Sequence, residues 1–202
     1  MASPYATTIE VVQAALHRVG EQTIASLVDG SPAAQIATSN YEGIVSDYLT
    51  RHAWTFATKT VDLTYVGAID NLPFGFEYSW PTTVLNIREI RLDGRTLESG
   101  ECEIEDGRVL TFVENEPLQA SVTYRAPENK WPGDFSEAVV VRLQALFLEG
   151  LVDKWQDARL KEKDAESKML RAISRDKRQR PAQRVERAKL AERWRGLRTR
   201  SY

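Results

Sequence analysis

A mixed α+β fold is predicted for this 202-residue chain, on three observations. Apolar residues recur at helical spacing over the first fifty positions, alternate one-in-one-out between about residues 60 and 125, and then crowd into one long helical run. The architecture read from that order is a helical bundle with an inserted antiparallel β-meander and a long C-terminal helical, basic arm. Its parts are N-terminal helices over 1–58, a β subdomain over 59–126, a long central helix over 134–174, and the arm over 175–202.

The elements follow in order. Thr7 with Glu10 reads as a capping box opening a helix through Val11, Val12, Ala15, Leu16 and Val19, with Gly20 as its stop. Ser31-Pro32 opens a second: Ser31 can accept from a free amide, and Pro32 in the first turn loses no needed donor. Ala37, Tyr41, Ile44, Val45 and Tyr48 carry its apolar face to about Arg51. The period then changes to two. Thr60–Val66 and Phe74–Trp80 alternate as half-buried strands, and Val84–Leu92 is a third in which the step from Ile87 to Ile90 breaks alternation and predicts a bulge. Asp93-Gly94 and Asp106-Gly107 are hairpin turn pairs, and strands at 101–105, 108–113 and 120–125 complete the meander. Asp134 and Glu137 form a second capping-box pattern before a helix apolar nearly all round, from Val139 to Trp155. From Asp157 the composition turns charged, so this helix is expected to emerge into solvent. Pro181 then interrupts it, and a second basic helical stretch is expected to run to about Leu197.

Charge is sorted by position. Residues 171–202 hold 12 of the 27 Lys and Arg but only Asp176, Glu186 and Glu192 as acids, a net +9; the remaining 15 basic and 26 acidic residues leave residues 1–170 at −11. A block of like charge that cannot neutralise itself suits contact with a polyanion or an acidic protein surface. Within it, Leu190, Trp194 and Leu197 fall at i, i+4 and i+7, a narrow apolar seam flanked by arginines. Five Trp and 42% apolar residues support a real core over residues 1–160. Cys102 is the one cysteine, which rules out a disulfide framework within the chain. The first thirty residues lack a signal-type apolar run, and the richest run, 139–148, is short for a membrane and carries Arg142 and Gln144. A soluble protein made inside the cell is expected.

Little in the sequence predicts catalysis. His17 and His52 fall on different elements without spaced metal-ligand partners, so no metal or cofactor is expected. Cys102 sits between Glu101 and Glu103, whose charges oppose a thiolate. Glu101, Glu103 and Glu105 share a strand face by alternation, the pattern of a solvated sheet. Trp54 and Phe56, in the knot His52-Ala53-Trp54-Thr55-Phe56, are read as pinning the helices to the β insert.

Four segments resemble a known family. Leu16 to Leu27, with Gly20-Glu21, Ile24 and Leu27, looks like an opening apolar-Gly-Glu-x-x-apolar-x-x-Leu segment. The Ser31-Pro32-Ala33-Ala34 helix start and the Trp54-x-Phe56 end, then Leu118–Tyr124 and Phe135-Ser136-Glu137-Ala138, follow in the same order over roughly residues 10–160. Together they resemble the tail tubular protein A family, the head-to-tail adaptors (connectors) of tailed bacteriophages. The resemblance implies a non-catalytic ring, typically of twelve copies, at the virion's head–tail junction. Such a ring is made in the host bacterial cytoplasm and sits between the portal protein and a tail nozzle or other neck protein, with DNA passing through as cargo and no membrane involved. The arm matches no motif of that family. Its Arg175, Lys177, Arg178, Arg180, Arg184, Arg187, Arg193 and Arg195 are expected to meet an acidic portal surface, with Leu190, Trp194 and Leu197 as apolar anchor. The alternative is a non-catalytic nucleic-acid-binding protein that uses the same arm on phosphates, with affinity falling steeply with salt.

Overall fold

The structure is a computed structural model that describes residues 4–70 and 73–179. Over those residues it is a mixed α+β fold of four helices and two antiparallel sheets. Helix α1 (Thr8–Val19) ends as its sequence predicts. Gly20 adopts φ 81°, and the amides of Gly20 and Glu21 donate to the carbonyls of His17 and Leu16, a Schellman closure. Its start is a half-formed box: Glu10 reaches back to the Ala6 amide (2.7 Å), while the Thr7 hydroxyl caps nothing. Helix α2 (Pro32–Thr50) is capped by Ser31 Oγ, which accepts from the Ala34 amide at 3.2 Å.

The predicted helix over 134–174 is in fact two. Helix α3 (Gly133–Gly150) ends, the chain turns with Asp153 at φ 55°, and α4 (Trp155–Gln179) runs back along it. The apolar run continued through Leu151 and Val152 across the break, so periodicity gave no stop signal. Three ion pairs fix the antiparallel register: Arg142–Glu162 (2.6 Å), Glu137–Lys168 (3.6 Å) and Asp134–Arg175. Asp134 and Glu137 therefore do not build the expected capping box. Pro132 occupies the cap position, and the two carboxylates tie α3 to its neighbours, Glu137 also accepting from Arg18 of α1 at 2.8 Å. Nor does α4 leave for solvent. Ala158, Ala165, Met169, Ala172 and Asp176 form a buried seam at near-heptad spacing. Alanines contribute so little apolar signal that the charged outer face dominated the reading, yet they let two helices approach closely.

Eight strands form two four-stranded sheets that share one apolar interior. The first has the order β1 (Thr58–Asp62), β8 (Leu118–Tyr124), β4 (Val84–Leu92), β5 (Arg95–Thr96). The second has the order β2 (Thr64–Ala68), β3 (Phe76–Ser79), β7 (Arg108–Thr111), β6 (Cys102–Glu105). Leu63, Tyr78, Ile90, Val109, Leu118 and Val122 meet between them, so the arrangement is a small sandwich rather than one plain meander. The predicted strand over Thr60–Val66 turns a corner at Leu63, passing from one sheet to the other. Val61, Leu63 and Tyr65 all still face the interior, which is why alternation read straight through the bend. The bulge expected beyond Ile87 is present: the β4–β8 register slips between Ile87 and Glu89, and again between Val84 and Asn86. Both hairpin pairs turn as expected, with Asp93 and Gly94 at φ 49° and 79°, and Asp106 and Gly107 at 45° and 76°.

Helices and sandwich are joined by the aromatic knot. Phe135 of α3, fully buried, meets Trp54 (5.1 Å), Phe56 (5.1 Å), Trp131 (5.0 Å) and Tyr48 (6.5 Å), mostly edge to face. Trp54 Nε1 donates to the Tyr48 carbonyl, and the Phe56 carbonyl accepts from the hydroxyl of Tyr124 in β8. Arg88 adds a polar tie, donating to Thr123 Oγ1 and to the Thr50 carbonyl at the negative end of α2.

Candidate functional site

The end of α4 is where the body meets the basic arm, and a buried clamp holds it. The Asp176 carboxylate, 4% exposed, accepts at Oδ1 from the Thr55 amide (3.1 Å) and the Thr55 hydroxyl (2.6 Å), and its Oδ2 lies 3.0 Å from His52 Nε2. A histidine, an aspartate and a hydroxyl side by side invite comparison with a nucleophilic triad. The wiring is different: the hydroxyl donates its hydrogen bond to the carboxylate, not to the imidazole. The arrangement pins the last turn of α4 to the turn that leads into β1.

Of the residues expected to meet a partner, Arg175, Lys177 and Arg178 lie on that last turn and are exposed, Arg175 with an ion pair to Asp134. The expected Arg180, Arg184, Arg187, Leu190, Arg193, Trp194, Arg195 and Leu197, and the helical stretch that would carry most of them, lie outside the described residues. In the sequence, Asp176 is one of three acids in a basic tail. Its isolation among cations at the C-terminal end of a helix was the one available sign of a structural task, since a carboxylate is unfavourable there unless donors satisfy it.

A second polar centre lies where α1, α2 and the turn Glu128–Lys130 converge. Buried Glu128 Oε1 accepts from Thr8 Oγ1 (3.0 Å), the Tyr41 hydroxyl (2.9 Å) and Arg125 (2.7 Å), and Arg125 also forks onto Glu42 and lies over the Trp131 ring. Burial would raise the Glu128 carboxyl; Arg125 and Tyr41 more than offset it, and the group sits below its ordinary value. Burial, with the Glu128 charge beside it, pushes the Tyr41 hydroxyl well above its own. Each of these groups has a hydrogen-bond partner, so this centre reads as a satisfied structural network.

Two of the concavities among the described residues border the helices and the open sheet edge. An open groove of about 580 Å³ between α2 and the α3–α4 pair is lined by Ser39, Gly43, Asp47, Arg51, Arg142 and Glu166, among others. Its charges are matched: Arg51 pairs with Asp47 (2.6 Å) and Glu166 (2.7 Å), and the Asp47 hydrogen bond holds the guanidinium above its usual pKa. Burial pushes Tyr48, on its wall, up to about 12. A second groove of about 320 Å³ opens between β4 and β6. Cys102 lies in it, its thiol raised by burial first and by Glu101 second, the direction its acidic neighbours predict. Glu101 is forked onto by Arg95 (2.9 and 2.8 Å), while Glu103 and Glu105 stand exposed on the edge strand β6. No cluster of three or more His, Cys, Asp or Glu among the described residues could hold a metal. No helix among them is long and apolar enough to cross a membrane. No protein-family model matches the chain, and no curated protein matches it.

Proposed function

We propose that the chain is a structural virion protein: a head-to-tail adaptor that forms a ring between the portal and the distal tail or neck proteins, with DNA passing through its lumen. In such a ring each copy is a helical bundle that carries a β insert and ends in a long basic arm that grips the portal. The observation that carries it is the separation of charge, divided at Asp176. Up to residue 170 the chain is net −11, and beyond its buried carboxylate the sequence runs on as a cationic segment bearing Trp194. An acidic body repels phosphates, which lets DNA slide past, while a cationic arm rooted on a pinned helix suits an acidic protein ring. The four segments that resemble adaptor proteins, in matching order, support the same reading.

The test is co-assembly. Removing residues 180–202 leaves Asp176 and its partners in place, so the truncated protein should fold yet fail to join portal rings under electron microscopy. Undiminished co-assembly would refute the arm's role. Salt-titrated gel shifts on duplex DNA separate the rival: tight binding that collapses with salt would instead favour the nucleic-acid-binding alternative.

A further inference from the structure

The sandwich is left open along one side. Strand β5 has only two residues; the Leu97 amide adds one bond to the Ile90 carbonyl (2.9 Å), no further strand is laddered on that side of β4 among the described residues, and the opposite edge, β6, faces the gap. Ile87, Ile90, Leu97, Cys102 and Ile104 make an apolar floor there, with Ile104 half-exposed. The surroundings are acidic. Glu89, paired with Arg91, and Glu98 sit on the rim with Arg88, Glu103 and Glu105 lie on the adjoining strand, and residues 59–126 as a whole hold 12 acidic side chains against six basic. An apolar floor in a net acidic surround fits an occupant that is apolar on one face and carries positive charge.

We infer that this groove is the docking surface for residues 180–202 of the same chain, with Trp194 seated on the Ile90–Leu97–Ile104 floor. Those residues hold eight Lys or Arg and two Glu, a net +6 against the net −6 of the β subdomain. Their apolar residues Leu190, Trp194 and Leu197 share one face at helical spacing, flanked by arginines. The segment also starts in the right place. Asp176 is bonded to Thr55, three residues before β1, and β1 is separated from β4 only by β8. Thr58 of β1 and Asn86 of β4 both lie opposite Thr123 of β8, level with the start of the groove. With strands about 4.8 Å apart and sheets about 10 Å apart, the groove lies within roughly 35 Å of the segment's root. The fifteen residues from Arg180 to Trp194 span up to about 50 Å extended, so a partly compact path also reaches. The 580 Å³ groove beside α2 is the weaker host, because its lining is charge-balanced, with Asp47, Glu162 and Glu166 against Arg51, Arg142 and Lys163. If the assembly reading above holds, a docked segment would be one that the portal must displace.

Cys102, the chain's one cysteine and part of the groove wall, makes the test direct. In the full chain, Ala191→Cys should form an intramolecular disulfide with Cys102 under mild oxidation. A matched chain with Cys102→Ser and Thr64→Cys moves the target thiol to β2, the far edge of the second sheet. Crosslinking at Cys102 should be at least tenfold faster than at position 64. Ile104→Glu and Trp194→Ala should each slow it several-fold, as should 0.5 M salt, and the rate should not change on dilution. Equal rates at the two target positions, or a bond that forms only between copies, would overturn the inference. The measurement uses the protein alone and the co-assembly assay uses the portal, so either idea can fail without the other.

Discussion

Replacing Asp176 by Ala in the full chain tests the idea that the body extends to the last turn of α4. The change removes the acceptor for the Thr55 amide and hydroxyl and the partner of His52 Nε2, all in a site where Asp176 itself is 4% exposed. A buried donor stripped of its partner costs about 1–3 kcal/mol, and the Thr55 hydroxyl can turn elsewhere while the amide cannot. The summed loss is about 3 kcal/mol. Two truncations sharpen it. Ending the chain after Arg175 removes the carboxylate and should cost about as much as Asp176→Ala, whereas ending it after Gln179 should change stability by less than about 0.5 kcal/mol. Urea unfolding followed by circular dichroism reads the difference: with a slope of about 2 kcal/mol per M, the midpoint should fall by about 1.5 M in the first two cases and hold in the third. Equal midpoints for the two truncations would refute the clamp and return the boundary to residue 175.

Three other outcomes are expected. Phe135→Ala empties the hub of the aromatic knot and should cost about 3–5 kcal/mol, read as thermal or urea unfolding, with Phe135→Leu costing clearly less. Glu128, held below the usual carboxylate value despite its burial, takes up its proton at higher pH in the unfolded chain than in the folded one. Its stabilisation is therefore complete above the unfolded value of about 4.3 and is lost as pH falls through the folded value, so Glu128→Gln should flatten the acid limb of the stability curve below about pH 5. A stability difference between the two proteins that stays constant from pH 7 to pH 3 would contradict this. Gly94→Val places a branched side chain at φ 79° in the β4–β5 hairpin and should destabilise by about 1–2 kcal/mol, measurable as a lowered melting temperature.

The α+β class, most element positions, both hairpin turns and the β4 bulge were legible because each depends on local chemistry. Gly20, Ser31-Pro32, Asp93-Gly94 and Asp106-Gly107 act through their own backbone, and the slip beyond Ile87 appears wherever alternation breaks. The aromatic knot was legible too, since residues as large as Trp54 and Phe56 have few places to go but a core. The candidate site was half legible: the charge step between body and arm is written in composition, but its hinge, Asp176, is not. A carboxylate's role depends on donors 121 and 124 residues away, and no local pattern records them.

The sequence by itself therefore determined which segments are helix or strand and where charge collects, because propensity, capping and turn chemistry act over a few residues. Only the tertiary structure decided that 134–174 folds back as two helices, that Leu63 turns a corner between two sheets, and that Asp134 and Glu137 serve ion pairs rather than a cap. The physical reason is shared by all three. An apolar face or a carboxylate looks the same in one dimension whatever packs against it, and the partner that gives it a task is brought there by the rest of the chain.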